Sequence, residues 1–560
     1  MQISWRRFRR PFLKHLLLGA IWLPLLAESG VAAAGASAPA VTILGRTVAH
    51  KVTLLAIDDF SLPLRKNVGL YLSKPKVRLE PVLKPSPFGS GAPDDLAVHF
   101  YGTVLHDGGK FRMWYYACHW GKNPDWPPRM MQQVALSSYG PLYQGPLCYA
   151  ESDDGINWKK PELGQVLFKG SRKNNALALP HTVVSGAIVV KDETDPDPAR
   201  RYKMTYQFFP NYSQPAIPEH GWQPSVALAV SPDGVRWKVI GIPFRDQFVE
   251  PSSFVQHAGK YVIHYQAAGN MGGYFAEGGT SSGRTGVARV TTDFTQWPDA
   301  LAEAFALAEP EDQTKRGLSG DYDQAHLGVG AASFGNVCVG LYGLWHNAEF
   351  HKSFDQISCD FGLLVSNDGV KFREPVKGHR FLRREDSLVT PVAGHNFNTI
   401  LCQANGILNV GDETRIYHGR WRNADGRDED DSLKHYYAEV ALATLPRDRW
   451  GALGLNPGAT EGTVWTAPFI LGRRGCKVTL NADGAQAMSV EIADEKFGLL
   501  QKYSGENTGV IACKDGLDCA VNWPKASLDA LVGKTVRLRI QLKKRDQAEP
   551  RFYAAYISRD

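Results

Sequence analysis

The 560-residue sequence predicts an all-β protein: a five-bladed β-propeller followed by a small C-terminal β-sandwich. Three observations predict it. One strand-and-turn pattern recurs five times, a Gly- and Pro-rich break follows Trp450, and shorter alternating strands fill the rest of the chain. No long amphipathic helical pattern competes with this reading.

Each repeat pairs two signals. The first is an apolar-aromatic strand after a turn. The second is a strand ending in a small or polar residue, then Asp-Gly or a similar turn, then an aromatic. The pairs are Lys110–Tyr116 with Tyr149–Trp158, Arg201–Tyr206 with Ala229–Trp237, and Lys260–Tyr265 with Val290–Trp297. Val337–Tyr342 with Val365–Phe372 follows, and then Thr414–Tyr417 with a degenerate ending at Leu445–Trp450. In the Ser/Thr-x-Asp-Gly corner, Asp bonds the turn backbone and Gly supplies positive φ. These Asp residues are therefore scaffold. Sialidases carry similar turns, their Asp boxes, so the corner by itself specifies no reaction.

Units spaced by about 60 to 100 residues fit four-stranded blades better than a sandwich. The propeller is assigned to residues 45–455, with the segment from about 45 to 95 supplying an outer strand that helps close the ring. Residues 462–560, with strands such as Cys476–Leu480, Ser489–Ile492 and Val536–Leu542, form the sandwich.

Residues 1–37 read as an export signal. Arg6, Arg7, Arg9, Arg10 and Lys14 precede the apolar run Leu16–Leu26, and small residues follow from Val31 to Ala40. The run is short for a membrane span and contains Pro24. Arg9–Lys14 resembles the twin-arginine signal, which exports folded proteins. The expected address is periplasmic or extracellular, with no stable membrane insertion after cleavage. The net charge of +6 comes partly from this signal, and the remainder is too scattered to argue for nucleic-acid binding.

Eight cysteines show no paired zinc spacing. Cys513 and Cys519 can close a small disulfide, Cys118 and Cys148 are a second candidate pair, and the others read as buried thiols. Neither a cofactor nor a metal is expected.

In a propeller the innermost strand of each blade lines a central channel. Counting back from the turns puts those strands near His99–Leu105, Ser185–Val190, Glu250–Val255, His326–Ala331 and Gln403–Leu408. One register position then reads Phe100, Ser185, Glu250, His326 and Gln403. Four of these are polar in strands whose neighbours are mostly apolar or small, which points to a solvated channel or a ligand site at its mouth.

The run Phe248–Phe254 (FVEPSSF) resembles the third-blade segment of the five-bladed glycoside hydrolase families 43 and 32. That resemblance implies Glu250 as general acid. Hydrolysis needs a second carboxylate. The resemblance favours a first-blade Asp, Asp95 or Asp94, while Asp321 and Asp323 stand before the fourth inner strand. His181 and Ser185 occupy the place of the second-blade Asp of family 43, a departure from that pattern. Asp94, His181, Ser185, His326, Gln403, Trp120 and Arg422 are the expected substrate-binding residues. His395, Trp126, Trp345, Tyr143 and Arg420 sit nearby in the predicted topology. The whole chain also resembles exported glycosidase-like proteins of polysaccharide-degrading bacteria. The expected partner is therefore a carbohydrate substrate, with a non-catalytic glycan-binding or envelope propeller as the alternative.

Overall fold

The computed structural model describes residues 41–48, 50–125, 142–181, 183–208, 225–244, 249–267, 285–305, 321–323, 328–346, 357–423, 436–545 and 549–559. Its described secondary structure is dominated by strands, with a few short 3-10 turns. Among the described residues no helix is long and apolar enough to cross a membrane.

Five antiparallel units follow one another. Unit 1 comprises Ala97–Asp107, Lys110–Trp120 and Leu142–Ser152. Unit 2 runs Val184–Lys191, Tyr202–Phe208, Ser225–Ser231 and Lys238–Phe244, and unit 3 runs Val249–His257, Lys260–Ala267, Thr285–Thr291 and Ala302–Phe305. In unit 4, Asp321–Asp323 and Gly330–Ser333 both pair with Cys338–His346, which pairs with Ser358–Ser366 and through it with Arg380–Leu382. In unit 5, Ile400–Cys402 and Ile407–Val410 pair with Glu413–Arg422, then comes Tyr437–Pro446, and Lys76–Val77 from the N-terminal region forms the outer edge.

The Asp-Gly corners are scaffold, as their chemistry predicts. Asp154 Oδ1 accepts the N–H groups of Ile156 and Asn157, both at 2.8 Å, and Asp233 Oδ1 accepts those of Val235 and Arg236 at 2.9 and 2.8 Å. Asp368 does the same for Val370 and Lys371. Gly155, Gly234 and Gly369 hold positive φ there, the conformation glycine adopts without cost.

Each corner docks on the preceding unit. Trp114 Nε1 of unit 1 donates to Gly234 O of unit 2 (2.8 Å), and His264 Nε2 of unit 3 meets Gly369 O of unit 4 (2.7 Å). Tyr417 Oη of unit 5 donates to Gly155 O of unit 1 (2.8 Å). Trp114, His264 and Tyr417 are each the fifth residue of their strand. Lys203 of unit 2 sits over the Phe294 ring of unit 3, and Trp450 of unit 5 packs on Phe381 of unit 4.

The first strands also touch in sequence. Val189 N–H donates to Thr103 Oγ1 (2.9 Å), Gly186 approaches Pro251, Ser253 Oγ donates to Val329 O (2.7 Å), and Gln403 Nε2 donates to Gly328 O (2.5 Å). From unit 5, Asn405 O accepts Val104 N–H of unit 1 at 2.9 Å.

Strands from both ends of the chain form a further sheet. Lys51–Leu55 pairs with Arg551–Arg559, Val68–Leu72 with Gly451–Leu455, and Val41–Ile43 with Phe469–Leu471. The segment expected to edge the propeller is thus divided: residues 41–72 join the C-terminal strands, and only Lys76–Val77, with a bridge at Leu83, joins unit 5. Thr535–Lys543 alternates buried and half-buried residues along its length. Its Val536, Leu538, Ile540 and Leu542 share one core with Val478, Leu480 and Ile557. Cys513 and Cys519 are disulfide-bonded with Cα atoms 5.9 Å apart, whereas Cys118 and Cys148 are separate buried thiols.

Candidate functional site

The site is built where each first strand breaks register. Pairing with the second strand shifts between His99 and Thr103, between Ser185 and Ala187, and between Pro251 and Ser253. In unit 5 it stops at Cys402 and resumes at Ile407. Close backbone approach enforces this pattern. A Cβ on Gly102 would stand 1.9 Å from Trp114 O, and one on Gly406 2.0 Å from Tyr417 O. Such irregularities bend a strand and re-aim its side chains.

Glu250 lies just before the break in unit 3 and is half-buried. It pairs directly across from Gln266, whose Nε2 donates to Glu250 Oε2 at 2.7 Å. Burial, with Cys118, Tyr101 and Glu250 adding smaller effects, holds the Tyr116 phenol well above its ordinary pKa. Glu250 also acts electrostatically on Cys402. Glu250 is thus within electrostatic range of Tyr116 in unit 1 and Cys402 in unit 5, and around Tyr116 gather aromatic residues of both units.

Those residues form an aromatic cluster. His99 stacks on Tyr116 (centroids 4.1 Å apart, 24° between planes) and packs against Trp421 (4.0 Å), Tyr101 (4.8 Å) and Tyr436 (5.8 Å). Burial keeps His99 neutral, with its pKa well below the usual value. Next to the cluster opens a cleft of about 260 Å³, lined by Lys84, Phe88, Asp95, Arg422, Tyr436 and Tyr437 among others.

The two candidate partners of Glu250 have different surroundings. Asp94 is fully buried. It pairs with Lys160 Nζ at 2.6 Å and accepts from Ser86 Oγ (2.6 Å) and Tyr115 Oη (2.9 Å). Asp95 is equally buried but lines the cleft wall, and accepts the N–H groups of Trp120 (2.9 Å) and Gly91 (3.0 Å), with Lys169 Nζ at 3.8 Å. Burial raises its pKa, against those two N–H groups and Lys169.

Other expected residues are spread over several environments. His181 Nδ1 meets Tyr206 Oη at 2.5 Å and its ring stacks on Phe208 at 3.7 Å. Burial lowers its pKa to about 4. Ser185 Oγ donates to Gln207 Oε1 (2.5 Å), and Gln403 bridges to Gly328. Phe100 is wholly buried in the core between units 1 and 5. Trp120 packs against Phe88 (5.5 Å), and its carbonyl accepts from Lys169 Nζ. Arg420 is buried and held by the carbonyls of Arg78 and Leu79, while His395 is exposed. The strand Asp321–Asp323 is described in backbone only, and His326, Trp126 and the Tyr143 side chain lie outside the described residues.

A His-carboxylate pair escaped the sequence reading. His346 Nε2 lies 2.7 Å from Asp360 Oδ2, and Asp360 Oδ1 accepts the Arg384 N–H at 2.7 Å. His346 pairs with Asp321 and ends its strand in unit 4, as Arg422 ends its strand in unit 5, while Gln266 is next to last in its strand of unit 3. The two residues are fourteen apart in sequence, and neither belongs to a first strand. A signal for the site as a whole was present: a small residue, Gly102, Gly186, Ser252, Gly328 or Gly406, follows each register position within three residues.

No protein-family model and no curated protein matches the chain. Among solved structures, one described under the GH130 family of mannoside phosphorylases is 16% identical, with a TM-score of 0.40 over 70% of this chain and 97% of that chain. A β-1,2-mannobiose phosphorylase from Listeria innocua is 14% identical (TM-score 0.39, 68% and 97% covered), and a family 117 glycoside hydrolase of the marine bacterium Zobellia galactanivorans is 12% identical (TM-score 0.35, 66% and 90%). These are loose likenesses in chain path. The chemistry of the site is carried by its own residues.

Proposed function

We propose that the protein is an exported carbohydrate-active enzyme, a glycoside hydrolase in which Glu250 is the general acid. The observation that carries this reading is Glu250 itself. It is a half-buried carboxylate oriented by a neighbouring amide and within electrostatic range of Tyr116, a member of the aromatic cluster. Aromatic faces and a few placed polar groups are what a sugar site needs. Asp95 is the favoured second carboxylate. It is the acidic group lining the cleft, and its raised pKa suits a group that exchanges a proton. Asp323 remains the other candidate, on the strand paired with Trp345.

The five units are read as the blades of a propeller, and the sheet from the two chain ends as its accessory sandwich. The supports are the corner of each unit docking on its predecessor and the contacts between successive first strands. The basic-then-apolar start of the sequence supports export.

Glu250→Gln tests the reading. The substitution keeps the size of the side chain and a partner for Gln266. Hydrolysis across a glycan panel should vanish while the melting temperature holds; unchanged turnover would remove Glu250 from the mechanism. One observation favours the non-catalytic glycan-binding alternative: Asp94 is locked in an ion pair and Asp95 already accepts two backbone N–H groups. Binding of glycans with no cleavage of any would select it.

A further inference from the structure

We infer that the cleft lined by Asp95 and Arg422 takes an acidic sugar, and that Arg422 receives its oxyanion. This rests on the carbohydrate reading above and names the substrate class.

Arg422 is only 6% exposed, yet it lines the cleft. Its guanidinium lies over the rings of Tyr437 (4.4 Å) and Phe397 (4.6 Å), which fix its plane. Nη1 donates to Thr390 O at 3.0 Å, while Nε has no hydrogen-bond partner. Among the described residues no carboxylate stands within ion-pairing distance of it. The nearby acid, Glu439, is already engaged: it accepts from Thr390 N–H (3.0 Å), Thr390 Oγ1 (2.5 Å) and Tyr437 Oη (2.8 Å). Arg420, two residues earlier, shows the contrast. It is equally buried, but Glu439 lies 3.7 Å away and three protein acceptors surround it.

A buried charge is normally paired, because removing it from water without a counter-charge is costly. Arg422 lacks that pairing at the wall of a cleft. Its planar fork suits a two-oxygen anion.

The rest of the cleft suits a sugar ring. Tyr436, 5% exposed, lines it with a hydroxyl that has no hydrogen-bond partner, and Tyr437 and Phe88 supply aromatic surface. At about 260 Å³ the cleft is at the small end of ligand pockets, which run roughly 300–1,000 Å³, suiting one sugar residue better than a run of them. Asp95, the one acid among the described lining residues, is countered by two N–H groups and by Lys169. Lys84 also lines the cleft, but its ammonium is paired with Glu80 at 3.3 Å, which leaves Arg422 as the cation without a paired carboxylate among the described lining residues. The oxyanion arrives either as a uronate carboxylate or as a sulfate ester.

Calorimetric titration of the full chain tests this. The ligands are short uronate-containing oligosaccharides, sulfated oligosaccharides, their neutral counterparts, and inorganic phosphate. One acidic series should bind at least about tenfold tighter than its neutral counterpart, and added salt should weaken only the acidic series. Arg422→Met should erase that margin, bringing the acidic series down to the affinity of its neutral counterpart, and keep or raise the melting temperature. Arg422→Lys, which retains charge without the fork, should recover only part of it. Equal binding of neutral and acidic sugars overturns the inference and leaves the carbohydrate reading standing. So does phosphate binding as tightly as either acidic series, or a lowered melting temperature in Arg422→Met with sugar affinities unchanged. Binding of no sugar at all overturns both readings.

Discussion

Gln266 donates its side-chain amide to Glu250 Oε2 at 2.7 Å, and the two residues face each other across adjacent strands of unit 3. The pair lies just before the register shift between Pro251 and Ser253. The amide can therefore fix the carboxyl plane where the strand changes direction. Small displacements of a reacting group cost up to ~10²-fold in rate. Gln266→Ala should lower turnover by about 10- to 100-fold with KM within about twofold, measured by steady-state kinetics on the substrate found for the wild type. An equal loss through KM alone would make Gln266 a binding residue.

The two adjacent carboxylates of unit 1 separate by experiment. Asp94 is fully buried against Lys160, so Asp94→Asn leaves that ammonium uncompensated and should cost roughly 3–5 kcal/mol of stability by chemical denaturation. Asp95→Asn turns one acceptor into an NH2 facing a backbone N–H, so it should cost about 1–3 kcal/mol, less than Asp94→Asn, and lose at least ~10²-fold in turnover. The reverse pattern would move the catalytic role to Asp94.

The corners should matter for folding and not for chemistry. Tyr417→Phe removes only the hydroxyl that meets Gly155 O and should cost about 1–2 kcal/mol. Asp154→Ala removes the acceptor of two turn N–H groups and should cost a similar ~1 kcal/mol. Turnover per folded molecule should be unchanged in both, as read from activity normalised to the folded fraction.

Buried histidines set an acid window, His99, His119 and His257 contributing in the same direction as the three described next. Burial lowers the pKa of His181 and His264 to about 4 and that of His418 to about 3, from 6.5. The folded pKa lies below the unfolded one, so the unfolded chain binds these protons first. Stability is full above about pH 6.5 and falls as the pH drops towards 4, each group removing up to roughly 3 kcal/mol. Denaturant midpoints measured from pH 7.5 to 4 should show the slope, and His181→Gln should flatten it. A flat wild-type profile in that window would contradict the burial of these rings.

Much of this architecture was legible because it is local. Ser152, Asp154 and Gly155 bond among themselves within four residues, so their role follows from spacing alone. Likewise, strand alternation marked where the second strand of each unit begins. The bulges were less legible, since Gly102 and Gly406 are required by carbonyls of Trp114 and Tyr417 on a neighbouring strand. The fate of residues 41–72 was not legible at all. Their partners lie some 400 to 500 residues further on, and period-2 patterning does not name a partner.

By itself the sequence determined that the chain makes repeated antiparallel units with Asp-Gly corners, and that a carboxylate, Glu250, stands among mostly apolar or small neighbours on a first strand. Only the tertiary structure decided what surrounds each polar group. Asp94 meets Lys160 sixty-six residues away, and Arg422 meets Thr390 and Phe397 yet no described carboxylate. The physical reason is that a charge's state depends on the dielectric and the partners around it. Those partners are brought by folding from segments distant in the chain.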